Sequence, residues 1–145
     1  MIYDVDVEIP AGTAKLTPVK TELKIFRGVI HQFDLVFPSG CTGLVLTRLV
    51  HGAHPIIPTN EDQNLSGDGI QITGKEFYEL EDDINDLTIY SWAPNTSYSH
   101  TITWRIYVLE KKYLLPVGAT EGMLESLKSL VLRPIVIQEV GGTTT

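Results

Sequence analysis

Cysteine is almost missing from this chain: Cys41 stands alone among 145 residues. No intrachain disulfide framework can form from one thiol, and a small buried core residue is the expected role. Clustered base is missing as well. The net charge is −7, and the densest basic run is Lys111-Lys112. Phosphate neutralisation needs grouped Lys and Arg, so nucleic acid and anionic membrane are not expected as partners. No apolar run reaches the roughly 18 residues that a membrane helix requires. The opening MIYDVDVEIP alternates acids with apolar residues, where a signal peptide would carry a basic and then an apolar region, so none is expected. P-loop, dinucleotide and Cys-x-x-Cys motifs are lacking too. What remains has an ordinary globular balance, 43% hydrophobic and 20% charged, in a length that suits one domain with a tail.

The pattern that is present has a period of two. His100–Leu109 (HTITWRIYVL) puts Ile102, Trp104, Ile106 and Val108 on one face and Thr101, Thr103, Arg105 and Tyr107 on the other. Such alternation predicts a strand with one face on a core, here a central one. Tyr3, Val5, Val7 and Ile9 repeat the pattern near the start, with Asp4, Asp6 and Glu8 as an acidic outer stripe that guards an edge. Further strands are predicted at residues 21–26, 30–37, 43–50, 70–73, 76–80 and 87–92. Arg27-Gly28 reads as a turn or bulge, and residues 82–86 as an acidic turn. Arg48 lies in an otherwise apolar run and is expected at the strand end or paired with an acid. Residues 51–69 read as the longest loop. About eight short antiparallel strands without intervening helices predict an all-β, jelly-roll-like sandwich over residues 1–112.

Residues 113–145 change character. After a linker, Met123, Leu124, Leu127, Leu130 and Val131 form an apolar stripe at helical spacing over residues 121–132. Arg133-Pro134 stops that helix, and Ile135-Val136-Ile137 follows as an extended apolar run. The stripe needs a surface to cover it, so Met123, Leu124, Leu127, Leu130, Ile135 and Ile137 are the expected contacts with a second subunit or partner.

Chemistry is sparse. His31, His51, His54 and His100 are the metal-ligand types present, with His51 and His54 three apart in HGAH. They support a cupin-like metal site only weakly, because the two-apart histidine pair and downstream glutamate of that family are absent. The oxygen-rich residues 60–68 (NEDQNLSGD) lack the ligand spacing of a calcium loop and read as a solvated turn. Ser39 has no nucleophile elbow around it, Asp82/Asp83 sit in a turn, and Cys41 has no base beside it in sequence. No enzyme activity, metal or cofactor is expected. Tyr90 and Trp92 share one strand face, and with Tyr98 they are candidates for stacking on a sugar ring. A carbohydrate- or receptor-binding module is therefore one functional reading.

The chain over Ile2–Leu109 and the Tyr113–Val140 tail, with its distinctive stretches PSGCTGL, HPIIPTN and YSWAPNTSYSHTITWRI, resembles the small virion proteins of tailed bacteriophages. In particular it resembles the jelly-roll head decoration (cement) proteins. The likeness is one of architecture and covers the strands together with the tail. It implies a non-enzymatic structural protein made in the host cytoplasm and placed on the capsid surface. It further implies self-association as a homotrimer, with the major capsid protein as partner and no nucleic acid or membrane.

Overall fold

The structure is a computed structural model that describes residues 1–114 and Glu125. It is all β. The strands are β1 (Ile2–Ile9), β2 (Val19–Phe37), β3 (Leu46–His51), β4 (His54–Ile57), β5 (Ile70–Trp92) and β6 (His100–Leu109). Every pairing is antiparallel, in the order β1-β6-β2-β5-β3-β4. Among the described residues, helical conformation is limited to a 3-10 turn at Lys111–Leu114 and to Glu125. The chain divides after Leu109.

Six strands stand where eight short ones are expected, because β2 and β5 are each continuous through segments that read separately. They form one long ribbon with a corner in it. Phe26 pairs with Ile84, but the next partners are Gly28 and Leu80, so residues 81–83 of β5 bulge against Arg27. Asn85, 1% exposed, clamps the bulge. Its amide donates to the carbonyls of Ile25 at 3.2 Å and Asp82 at 2.8 Å, and its oxygen accepts from the Asp82 N–H at 3.3 Å. The acid-rich stretch that reads as a turn is thus a bend inside a strand, held by side-chain bonds. Gly28 is required there. A Cβ at that position would lie 2.7 Å from Val108 Cγ1 and 2.8 Å from the Leu109 oxygen.

The corner makes a sandwich. On one side of it, β2 pairs with β6 over residues 29–36, and β6 carries β1 at the edge. With residues 70–80 of β5 these form the first leaf. On the other side, residues 87–92 of β5 pair with β3, which carries β4. With residues 19–26 of β2 these form the second leaf. The expected inner face of β6 is the core: Ile102, Trp104, Ile106 and Val108 are fully buried, against Ile9, Ile25, Leu35, Leu49, Leu87 and Ile89. Trp104 joins the leaves directly, its indole N–H donating to Thr47 Oγ1 on β3 at 3.2 Å. Neighbours on both sides make β6 central, and β1 is an edge with its acids outward.

One further expectation needs amendment. The 51–69 segment is not all loop, because residues 54–57 return as β4 and the Ile57-Pro58 bond is cis. Leu65 also bridges to Thr47. The expected helix and its contact residues Met123, Leu124, Leu127, Leu130, Ile135 and Ile137 lie outside the described residues.

Candidate functional site

The outer face of the second leaf carries two of the three aromatic residues picked out from sequence, Tyr90 and Trp92. Tyr90 and Trp92 do share that face, because Leu87, Ile89 and Ser91 take the inner one. They are not bare rings. Trp92 is only 2% exposed. Arg48 does not end its strand and is not paired with an acid among the described residues. Its guanidinium lies 5.5 Å from the Tyr90 ring centre and 5.9 Å from that of Trp92. Lys20 sits 5.8 Å from Tyr90 and Lys15 5.8 Å from Trp92. The result is a stack of three cations interleaved with two rings, each contact stabilising by about 0.5–2 kcal/mol. Arg48 is half-buried and lays its guanidinium against the negative faces of the rings. Its Nε remains buried without a hydrogen-bond partner.

Beside this stack is an open cleft of about 310 Å³, lined by Arg48, Val50, Pro55, Glu61, Asp62 and Tyr90 among others. Tyr98 is engaged elsewhere. It is 57% exposed, its hydroxyl donates to the Gly40 carbonyl at 3.3 Å and its ring packs 4.5 Å from that of His100.

The histidines separate into three places. His51 and His54 are cross-strand partners in the β3–β4 hairpin and flank Tyr78. His54 stacks on that ring at 5.8 Å, and His51 Nδ1 is 2.8 Å from its hydroxyl. His31 sits at a β2 irregularity near Tyr107; burial and then the nearby Lys75 and N-terminal charges hold its pKa down. His100 is buried at the start of β6. Among the described residues no three His, Cys, Asp or Glu side chains gather as a metal site. Asp68, from the oxygen-rich loop, accepts the Gly40 N–H at 2.8 Å instead.

One juxtaposition was invisible in sequence. Cys41 Sγ lies 3.8 Å from His100 Nδ1, 59 residues away in the chain. A thiol next to an imidazole suggests a nucleophile and its base. Here Cys41 is fully buried, and burial first, then the charge of Asp68, pushes its thiol above the usual range. A nucleophile needs the opposite shift and an open approach, so the pair is a packing contact.

The outer face of the first leaf is built differently. Asp34, 4% exposed, accepts from the Tyr107 hydroxyl at 2.6 Å, Thr73 at 2.7 Å and Gln32 at 3.4 Å. The Tyr107 bond, followed by those of Thr73 and Gln32, outweighs burial and holds the Asp34 carboxyl below the usual range. The same bond pushes Tyr107 up. A buried acid with its lone pairs filled is a structural anchor. Nothing in the sequence pattern marked it, since position 34 merely alternates with Phe33 and Leu35.

No family model matches the chain. No curated protein matches it either. Solved structures similar to it include FlhE, at 10% identity and TM-score 0.37, covering 73% of this chain and 94% of that one. PirA is similar at 12% identity and TM-score 0.38, with 72% and 94% covered. A pilus protein of Bacillus endospore appendages is similar at 14% identity and TM-score 0.30, with 75% and 88% covered. At these scores the likeness carries no functional argument, and the chain's own residues must supply it.

Proposed function

We propose that this chain is a non-enzymatic structural protein whose subunits assemble, as a trimeric decoration protein on the capsid of a tailed-phage virion with the major capsid protein as partner. The observation that supports assembly is a pair of large apolar side chains left in water at the ribbon corner. Phe26 and Ile84 are direct cross-strand partners, yet they are 58% and 54% exposed. Met1, 48% exposed, continues the patch through Tyr3, whose hydroxyl accepts the Phe26 N–H at 3.2 Å and lies 3.9 Å from the Met1 sulfur. Contiguous apolar surface of this kind marks an interface. The apolar tail pattern at Met123, Leu127, Ile135 and Ile137 adds a second source of contact. Sedimentation of the full chain tests the reading: a closed oligomer at micromolar concentration is expected, and a stable monomer would end it.

A carbohydrate- or receptor-binding module is the second reading, favoured by the cleft whose lining brings Arg48 and Tyr90 together with Glu61 and Asp62. Stacking a sugar on Trp92 would require Lys15 and Arg48 to leave its ring. A glycan array on the purified protein separates the two readings, since the assembly reading expects no hits.

A further inference from the structure

The cleft on the second leaf brings opposite charges together without pairing them. Arg48, Glu61 and Asp62 all line it, and among the described residues no ion pair joins the guanidinium to either carboxylate. Arg48 belongs to β3, and the two acids to the segment that returns to β3 at Leu65. That return is a pair of backbone bonds. The Thr47 N–H donates to the Leu65 carbonyl at 3.1 Å and the Leu65 N–H to the Thr47 carbonyl at 2.9 Å, which ties the acidic wall to the strand. Asp62 is held in the left-handed region, φ 61°, a conformation that L side chains adopt at a cost. The remaining wall includes Val50, Ala53 and Pro55, which are small or apolar. At about 310 Å³ the cleft is at the lower end of ligand sites, which run from roughly 300 to 1,000 Å³ and place a few polar groups on such walls.

The lining selects a class of ligand. An anion meets Glu61 and Asp62, and a cation meets Arg48, so a ligand of either charge faces a like charge in the wall. A hydroxyl escapes both, because it accepts from a guanidinium N–H and donates to a carboxylate. Bonds to charged partners of this kind are the strong ones. Stacking has little room. Tyr90 is already approached by Arg48 at 5.5 Å and by Lys20 at 5.8 Å, and Trp92 is covered.

The geometry points to the Arg48–Glu61–Asp62 cleft as a binding site for a neutral sugar, recognised through its hydroxyls rather than by a stacked ring. This inference rests on the carbohydrate-binding reading and names its site and its ligand class.

The test is an array of neutral and acidic glycans titrated with the full wild-type chain and with variants whose fold is checked by circular dichroism. Asp62→Gly removes a carboxylate and suits the left-handed backbone. Arg48→Met removes the guanidinium, and Glu61→Gln, at an exposed position, repeats the test on the second acid. Neutral glycans should bind the wild type, and glycans ending in sialic or uronic acid should not. Asp62→Gly and Arg48→Met should each raise the apparent dissociation constant by roughly tenfold, and Glu61→Gln by less. A silent array would overturn this inference and the carbohydrate reading together. Neutral glycans bound equally by the wild type and all three variants would overturn the cleft and leave that reading standing. Acidic glycans bound as well as neutral ones would overturn the ligand class.

Discussion

The two leaves of the sandwich hold a charged side chain in opposite ways on their outer faces: Asp34 is buried and Arg48 half-buried. On the first, Asp34 is enclosed by Tyr107, Thr73 and Gln32, and its hydrogen-bonding capacity is spent inside the subunit. On the second, among the described residues, Arg48 is held by the faces of Tyr90 and Trp92, and its Nε has no partner. A hydrogen-bonded charge is consumed by the fold. A charge resting on a ring keeps its donors, and so remains open to an acceptor from outside.

The comparison can be broken in several places, and the largest effect lies where the leaves meet. Trp104→Ala empties the space between them and removes the indole N–H that Thr47 accepts. It should cost about 3–5 kcal/mol in urea unfolding, with both leaves lost in one transition. A separate transition for each leaf would show that they are independent.

Asp34→Ala comes next, at about 1–3 kcal/mol, because three donors lose their acceptor. The pH dependence has a definite sign. The folded pKa of Asp34 lies below its unfolded value. Its contribution is therefore present above the unfolded pKa of about 4 and is lost as pH falls through the folded value. Wild type should lose stability on acidification below about pH 4, and the variant should lose less there.

Arg48→Met keeps much of the stem while removing the cation. About 1 kcal/mol is expected, with a shift in Trp92 emission and no change in the acid limb of the stability profile. An acid-limb change would mean that the two faces are coupled.

Phe26→Ser and Ile84→Ser should move the stability of the isolated subunit by no more than about 0.5 kcal/mol, as exposed positions do, while weakening the oligomer clearly. A large loss of subunit stability would assign the corner patch to folding rather than to assembly.

Much of the fold was readable in advance. The inner faces of β1 and β6 and the buried set Phe33, Leu35 and Phe37 follow from alternation, since burial of one face imposes a period of two. The strand count was not readable, because Gly28 and residues 82–86 carry turn chemistry yet bend a continuous ribbon. Local propensity cannot tell a corner from a turn when the deciding bonds run from Asn85 to Ile25, 60 residues apart. The candidate site was half legible. Tyr90 and Trp92 share their face as expected, but their cover comes from Lys15, Lys20 and Arg48 on other segments. Phe26 and Ile84 escaped notice because an exposed apolar residue looks in sequence like a core residue.

By itself, then, the sequence determined the class of this protein: an all-β chain, acidic, with a strand edge guarded by Asp4, Asp6 and Glu8. These are matters of period and composition, and neighbours in the chain settle them. Only the tertiary structure decided that β2 and β5 fold over at one corner, that Cys41 rests harmlessly against His100, and that three cations meet over two rings. Each of those depends on contacts between residues far apart in the chain, and strand alternation says which way a side chain points but not what it will find there.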